Sequence, residues 1–537
     1  MADHASTNLT RRAALRVFGL AAAGSLVAAC APIAAPSAPA APTPASAATP
    51  AAAQSTGTQP PKSGGTLRVA DMDIPKLDGH LIYANGINIS WVPYDRLTQY
   101  DANLQPQPML AESFDLSSDA MQIRLTLRKG VQFHTGRELT SDDVKWNLTR
   151  VRDPKLGVAQ LATQSAWFTS IDTPDKYTLV LKTDQPRPFM FDFFEYFNIL
   201  DPETKQGPDA DSKVVGTGPF IWQEYHQGEG VLLVKNPNYW QSGRPFLDQL
   251  DIKFLSDQQA AVVAFEAGQF DLIAPPARDA VRLGKDQTNY RLDTNPLNGG
   301  HYLLAVNTTM PPGDSKTVRQ ALSYALDRKR IAEQVLLNAG AVPHSLPWPV
   351  AGAAYDAVKD QTYAFDTEKA KSLLGGQAGM PVEITVNSAL ADAVSMAQIY
   401  QADLQQAGFN ATIKSMEGSA ILQYADMQKN PGLWINQSGY AQLGPQAMCT
   451  ISRHWNIGPN AEGFSNDQYR QLVNSIATQP DAAKRKPLYD QLNDFLLDQQ
   501  FVIVVTSNPS SVVSRSNVHN MQWDMHGARK YAEVSLA

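Results

Sequence analysis

An α/β chain folded as two lobes is what this sequence predicts, and three observations predict it. With 537 residues, 43% of them hydrophobic and 18% charged, the chain is longer than one core comfortably serves. Residues 382–386 alternate like a strand, 394–406 carry helical spacing, and 411–416 alternate again, a strand–helix–strand unit of the α/β kind. Residues 125–154 read as strand, two turns and helix, with every joint marked.

That last run is the most informative in the chain. An alternating strand ends at Arg128 and Lys129, and Gly130 turns it into a short strand over 131–134. Thr135 and Gly136 make a second turn. Thr140 or Ser141 then caps a helix whose first turn carries Asp142 and Asp143, where the helix dipole favours negative charge. Val144, Leu148 and Val151 give that helix one apolar face.

The chain opens with a basic segment holding Arg11, Arg12 and Arg16, followed by a short apolar run over 17–29. The run falls short of the roughly 20 apolar residues a membrane span needs and reads as a signal peptide. Its paired arginines fit a twin-arginine route, although Ala14 stands where such signals carry Phe; a general secretory route fits as well. Residues 27–30 end in Cys30 and have the pattern of a bacterial lipobox, so a lipid on the Cys30 thiol is expected. Residues 31–63 are almost wholly Ala, Pro, Ser, Thr and Gln; they can build no core and read as a tether. Cys449 is the other cysteine, and with Cys30 lipidated no disulfide is expected. The net charge of −7 falls to about −9 once residues 1–29, with three Arg and one Asp, are removed; that speaks against nucleic acid as a partner.

From residue 64 the elements follow in order. Residues 64–70 open the globular part with a strand, and 71–91 are loop-like, with Trp91 placed as well for packing as for a site. Strands are expected at 177–182, 221–225, 231–235 and 250–255, with a helix over 260–266. The aromatic run 189–197 reads as core. Residues 215–220 hold Gly216-Thr217-Gly218-Pro219, a tight turn without the later glycine or helix of a phosphate loop. A second lobe begins near residue 298 with a strand over 302–307 and an amphipathic helix over 315–326. Residues 495–505 are expected to carry the chain back to the first lobe.

Several of these pieces resemble the family 5 extracellular solute-binding proteins, the dipeptide, oligopeptide and nickel receptors of ABC importers. The likeness rests on Leu127-Arg128-Lys129-Gly130-Val131-Gln132-Phe133-His134 through Leu139-Thr140-Ser141-Asp142-Asp143-Val144. It continues in Tyr94-Asp95-Arg96-Leu97, in Gly216 to Phe220, in Asn236 to Trp240, and in Val318-Arg319 through Asp327-Arg328. It extends over nearly all of residues 64–537. The resemblance implies a periplasmic-binding-protein fold, two-lobed and hinged, with an extra subdomain in the larger lobe. Boundaries are expected at 64–297 for lobe I, with an inserted subdomain at about 96–212, at 298–506 for lobe II, and at 507–537 for the return to lobe I. The signature residues are expected to be architectural, with His134 a hydrogen-bonded turn residue.

The resemblance also places a cleft. Tyr83 and Asn85, after the first strand, are candidate ligand contacts. Peptide receptors of the family carry an aromatic and two aspartates in a segment matched here by residues 439–445. Tyr440 keeps the aromatic; Leu443 or Ala441 and Gly444 stand where the aspartates would be. An α-amine buried without a carboxylate partner costs several kcal/mol, so a ligand less cationic than a free peptide fits better. Asn436 and Gln437, flanked by Trp434 and Tyr440, suit sugars, opine-like compounds or small amides. Arg453 and His454 offer a carboxylate contact, and Trp348, between two prolines, a rigid stacking face. A surface Arg453 beside a packed Trp455 would explain that pair as well. The nine His lack ligand spacing, so no metal and no cofactor is expected. The expected function is a lipid-anchored receptor on the outer face of the cytoplasmic membrane or in the periplasm. It would act as a monomer, close about a hinge on a peptide or similar small solute, and deliver it to an ABC permease and ATPase. The alternatives are a ligand-presenting sensor or chaperone lipoprotein of the same fold, or an importer receptor for opines, oligosaccharides or a metal chelate; no hydrolase motif supports an enzyme.

Overall fold

The computed structural model describes residues 62–537 apart from 75–76, 82–85, 207–209, 256, 296–299, 340–341, 343, 351, 418–419, 422–431, 440–442 and 509. Two large sheets organise it. The first has seven strands, in the spatial order Tyr290–Thr294, Ser511–Arg515, Leu272–Ile273, Thr66–Asp71, Gln249–Phe254, Gly230–Lys235 and Phe220–His226. Thr66–Asp71 runs parallel to Gln249–Phe254, and the outer pairs are antiparallel. Its inward side chains, among them Leu67, Val69, Leu250 and Ile252, are fully buried. This is the period-two burial expected of a half-covered strand.

The second sheet has five strands, ordered Asn410–Met416, Pro381–Asn387, Leu433–Ser438, His301–Val306 and Val502–Ser507. Every residue of His301–Val306 is buried, because helices cover both faces. Tyr302, Leu304 and Val306 pack with helices Lys316–Tyr324 and Ala391–Gln406. Leu303 and Ala305 pack with helices Asp467–Thr478 and Ala482–Gln499. We call the parts built on the two sheets the first and second lobes. Inserted into the first is a four-stranded antiparallel sheet, Ala111–Leu116, Gln122–Leu127, Thr178–Thr183 and Phe168–Asp175. The aromatic run 189–197 fills its core, with Phe193, Phe194 and Phe197 fully buried.

Three sequence expectations need correction. Residues 131–134 form a single bridge, Gln132 to Glu138, in place of a strand, since the two turns on either side leave no room for a ladder. Residues 495–505 are no crossing strand: Phe495 lies in the helix Ala482–Gln499, which stops at Gln500 in the left-handed conformation. The strand Val502–Ser507 still pairs with His301–Val306, so the chain returns to the first sheet only at Ser511. The loop-like stretch 71–91 contains one short helix, Ile87–Ser90.

The recurrent motifs converge on two buried nodes. In the first lobe, Thr217 Oγ1, Trp240 Nε1 and Tyr239 OH all donate to the Asp95 carboxylate, at 3.0, 2.8 and 3.2 Å. Backbone packing explains the neighbouring glycines, since a Cβ on Gly216 would lie 2.3 Å from Pro93 O. His134 Nε2 donates to Gly218 O at 3.0 Å, and burial holds its imidazole down at about 4, neutral at physiological pH. In the second lobe the buried Arg328 guanidinium donates to His344 O, Val504 O, Ser323 O and Tyr363 O at 2.8–3.1 Å, and to Ser323 Oγ at 2.9 Å. These carbonyls solvate a charge that would otherwise be prohibitive to bury. Helix Ser141–Arg150 starts as expected, with Thr140 N donating to Asp143 Oδ2 at 2.8 Å.

Removing a carboxylate that serves three buried donors leaves each without a partner. Asp95→Ala should therefore destabilise the chain by about 3 kcal/mol, and Asp95→Asn, which keeps one acceptor oxygen, by less than half of that. Urea denaturation of the two variants checks both the magnitude and the order.

Candidate functional site

The cleft between the two lobes holds two chambers. The first, of about 250 Å³, lies where the chain passes between the sheets. Its first-lobe wall carries a buried ion pair, Arg529 Nη1 to Asp71 Oδ2 at 2.6 Å, and Arg529 N donates to Asn88 Oδ1 at 3.1 Å. Arg529 Nε is buried without a hydrogen-bond partner. Asp71 and Tyr531 raise the guanidinium pKa further, so Arg529 is a fixed positive charge in the wall. The opposite wall carries Tyr302 and Gln437, which face each other across neighbouring strands, and Asp392, which accepts a long bond of 3.5 Å from Ala277 N in the first lobe.

The second chamber, of about 690 Å³, lies between the inserted subdomain and the second lobe's helices Pro445–Ile451 and Asp467–Thr478. Asp192 sits in its wall. Its carboxylate accepts from Tyr100 OH at 2.8 Å and, from the other lobe, from Gln446 Nε2 at 3.0 Å. Burial pushes Asp192 up to about 7. The segment leading into this helix joins both sides: Leu443 and Ala447 pack into the inserted subdomain's core, Met448 and Cys449 into that of the second lobe.

The residues expected from sequence are scattered around this geometry. Tyr83, Asn85, Tyr440 and Cys30 lie outside the described residues. Gln437 lines the first chamber. Asn436 is half-buried and its Nδ2 lies 2.9 Å from His454 Nε2. His454 Nδ1 lies 2.6 Å from Glu462 Oε1 and donates to it, leaving Nε2 to accept from Asn436; His454 is thus a buried support for Asn436. Trp434 is buried beside the His454 ring. Arg453 is exposed and lines neither chamber. Trp348 is placed differently from the expectation. It is 1% exposed in the second lobe's core, with its indole N–H donated to Asn493 Oδ1 at 2.6 Å, because the rigid proline frame turns the ring inward.

The signature motifs, by their length and their architectural packing, decide the family. A family model described as "Bacterial extracellular solute-binding proteins, family 5 Middle" matches residues 105–457. The chain belongs to that family. It is similar to heme-binding protein A of Haemophilus influenzae, 29% identical over 74% of this chain and 78% of the relative. It is also similar to the nickel-binding periplasmic protein of Escherichia coli, 25% identical over 84% and 90%. Among solved structures, the ABC transporter-associated periplasmic binding protein DppA of Helicobacter pylori, in complex with the peptide STSA, superposes with a TM-score of 0.78 at 22% identity, over 88% of this chain and 98% of that one. The fold is thus that of periplasmic binding proteins, and the chain is a solute-binding receptor of the ABC importer class, not an enzyme.

Sequence reasoning missed Asp71, Arg529, Asp392, Asp192 and Gln446. Asp71 opens the stretch 71–91 already placed along the cleft, and Asp192 stands in the aromatic run 189–197, where the surrounding phenylalanines masked it. Among the described residues no cluster of His, Cys, Asp or Glu could hold a metal ion, and no helix is long and apolar enough to cross a membrane.

The Asp192 carboxyl has a higher pKa folded than unfolded, so between about pH 4 and 7 the folded state holds the proton more tightly. Its contribution to stability is present below that window and is lost as pH rises through it. The melting temperature of Asp192→Asn should accordingly fall less between pH 5 and pH 8 than that of the parent chain, measured by differential scanning calorimetry at both values.

Proposed function

We propose that this receptor is lipid-anchored through Cys30, hangs on the 31–63 tether, and closes its lobes over a small organic solute other than a free zwitterionic peptide. The observation that carries the reading is the cleft itself. Its walls come from both sheets, and polar groups of each lobe, Arg529 with Asp71 and Tyr302 with Gln437, face one chamber. A solute touching both walls binds the closed arrangement better than the open one and shifts the population toward it. The chain joins the sheets in two places, after Thr294 and after Ser507, which suits a hinge.

The solute class follows from the segment 439–445. Where peptide receptors of the family resemble one another in carrying aspartates, this chain has Leu443, 4% exposed and packed into the inserted subdomain's core. That leaves an α-amine without a partner there. The relatives support a broad range, since their names assign them heme, nickel, dipeptides and glutathione. An amide-, sugar- or carboxylate-bearing solute fits the amide of Gln437 and the unpartnered Nε of Arg529.

A thermal-shift screen of the purified chain against dipeptides, opines, oligosaccharides and metal chelates tests the solute class. A ligand at about 100 times its Kd should add about 2.7 kcal/mol of stability. The hit should also reduce the radius of gyration in small-angle scattering. Stabilisation by free dipeptides would remove the argument built on Leu443. For the anchor, Cys30→Ser should move the chain from the membrane fraction to the soluble one and abolish incorporation of labelled fatty acid.

A further inference from the structure

The larger chamber, about 690 Å³, has the size of a ligand pocket and is lined by residues with buried polar atoms that nothing among the described residues satisfies. Arg187 lies in its wall with its guanidinium carbon 4.7 Å from the centre of the Trp167 ring. Arg187 Nε is buried without a hydrogen-bond partner, and among the described residues no carboxylate forms an ion pair with this arginine. Gln164 is 2% exposed, Gln446 is 4% exposed, both line the chamber, and the side-chain oxygen of each lacks a donor. Buried polar atoms are rarely left so. Here an arginine with an unpartnered Nε, its nearest countercharge Asp184 outside the chamber's lining, and two unpartnered acceptors line one space, with Phe189 and Ile457 supplying apolar wall.

We infer that this chamber binds a carboxylate-bearing organic solute, with Arg187 forking onto the carboxylate, Gln164 and Gln446 accepting from N–H or O–H groups, and Trp167 and Phe189 contacting the apolar body. A guanidinium presents its N–H donors as a fork, the geometry that suits a planar carboxylate. The one acidic group in the wall, Asp192, is already engaged by Tyr100 and Gln446. Because its walls come from the inserted subdomain and from the second lobe, a solute here bridges the cleft. The inference thus rests on the receptor reading above and gives it a chemical class.

The test is calorimetric titration of the full chain, purified in detergent, with N-benzoyl-L-phenylalanine. This probe has a carboxylate, an amide N–H and two rings. Its neutral amide, N-benzoyl-L-phenylalaninamide, is the control. The acid should bind at least about tenfold more tightly than the amide. Arg187→Ala should erase that preference, and Arg187→Lys, which keeps the charge and loses the fork, should retain part of it. If Arg187→Ala does not fold, Arg187→Gln, which keeps a stem over Trp167, is read in the same way. Failure of the acid to bind at millimolar concentration overturns the inference, as does equal affinity for acid and amide, or an Arg187 variant that binds the acid unchanged. If the acid fails while another solute still compacts the chain, the receptor reading stands and only this assignment falls.

Discussion

The strand Ser511–Arg515 is the constraint on which the rest depends. It comes from the far end of the chain, yet it sits inside the seven-stranded sheet, between Leu272–Ile273 and Tyr290–Thr294. Arg515 locks it by donating to Phe270 O at 3.0 Å and to Phe265 O at 2.5 Å while its guanidinium lies 5.1 Å over the Phe265 ring. A first sheet completed only by the last part of the chain makes everything between Thr294 and Ser511 an insertion tethered at both ends. Two tethers on one side leave a cleft on the other, and side chains from 523 to 529 that follow the return strand line the cleft's inner chamber.

Within this frame the most recognisable residues perform the least specific work. Asp95, Thr217, Tyr239 and Trp240 are distant in sequence and meet at one buried carboxylate; Arg328 gathers carbonyls from four separate segments. Such nodes tolerate little change, because each partner lost leaves a buried polar group unpaired. A frame of this kind does not fix what fills the cleft. The groups facing the chambers, Arg187, Gln164, Asp392 and Gln437, belong to no such node.

Much of the architecture was legible because it is local. Apolar alternation announced the strands around Ile123 and Ile384, and Asp143 at the third helical position announced the start of Ser141–Arg150. The errors came where tertiary context overrode local pattern. Phe495 to Val505 reads as one apolar run, but a helix end and a strand start meet at Gln500, whose left-handed backbone no periodicity reveals. Trp348 reads as a displayed ring, and only the position of Asn493 shows that its indole is turned inward. His454 had the chemistry of a ligand contact, and a buried Glu462 eight residues on makes it a support for Asn436 instead.

By itself the sequence determined the alternation of strands and helices and the family frame. These are carried by composition, period and spacing along the chain, which folding does not rearrange. Which side chains share a chamber was decided only by the tertiary structure. Arg187 and Gln446 are more than 250 residues apart, as are Asp192 and the amide that donates to it. Their meeting depends on how the inserted subdomain packs on a helix of the other lobe, and burial and unmatched hydrogen-bonding capacity, the properties that mark a site, exist only once that packing has formed.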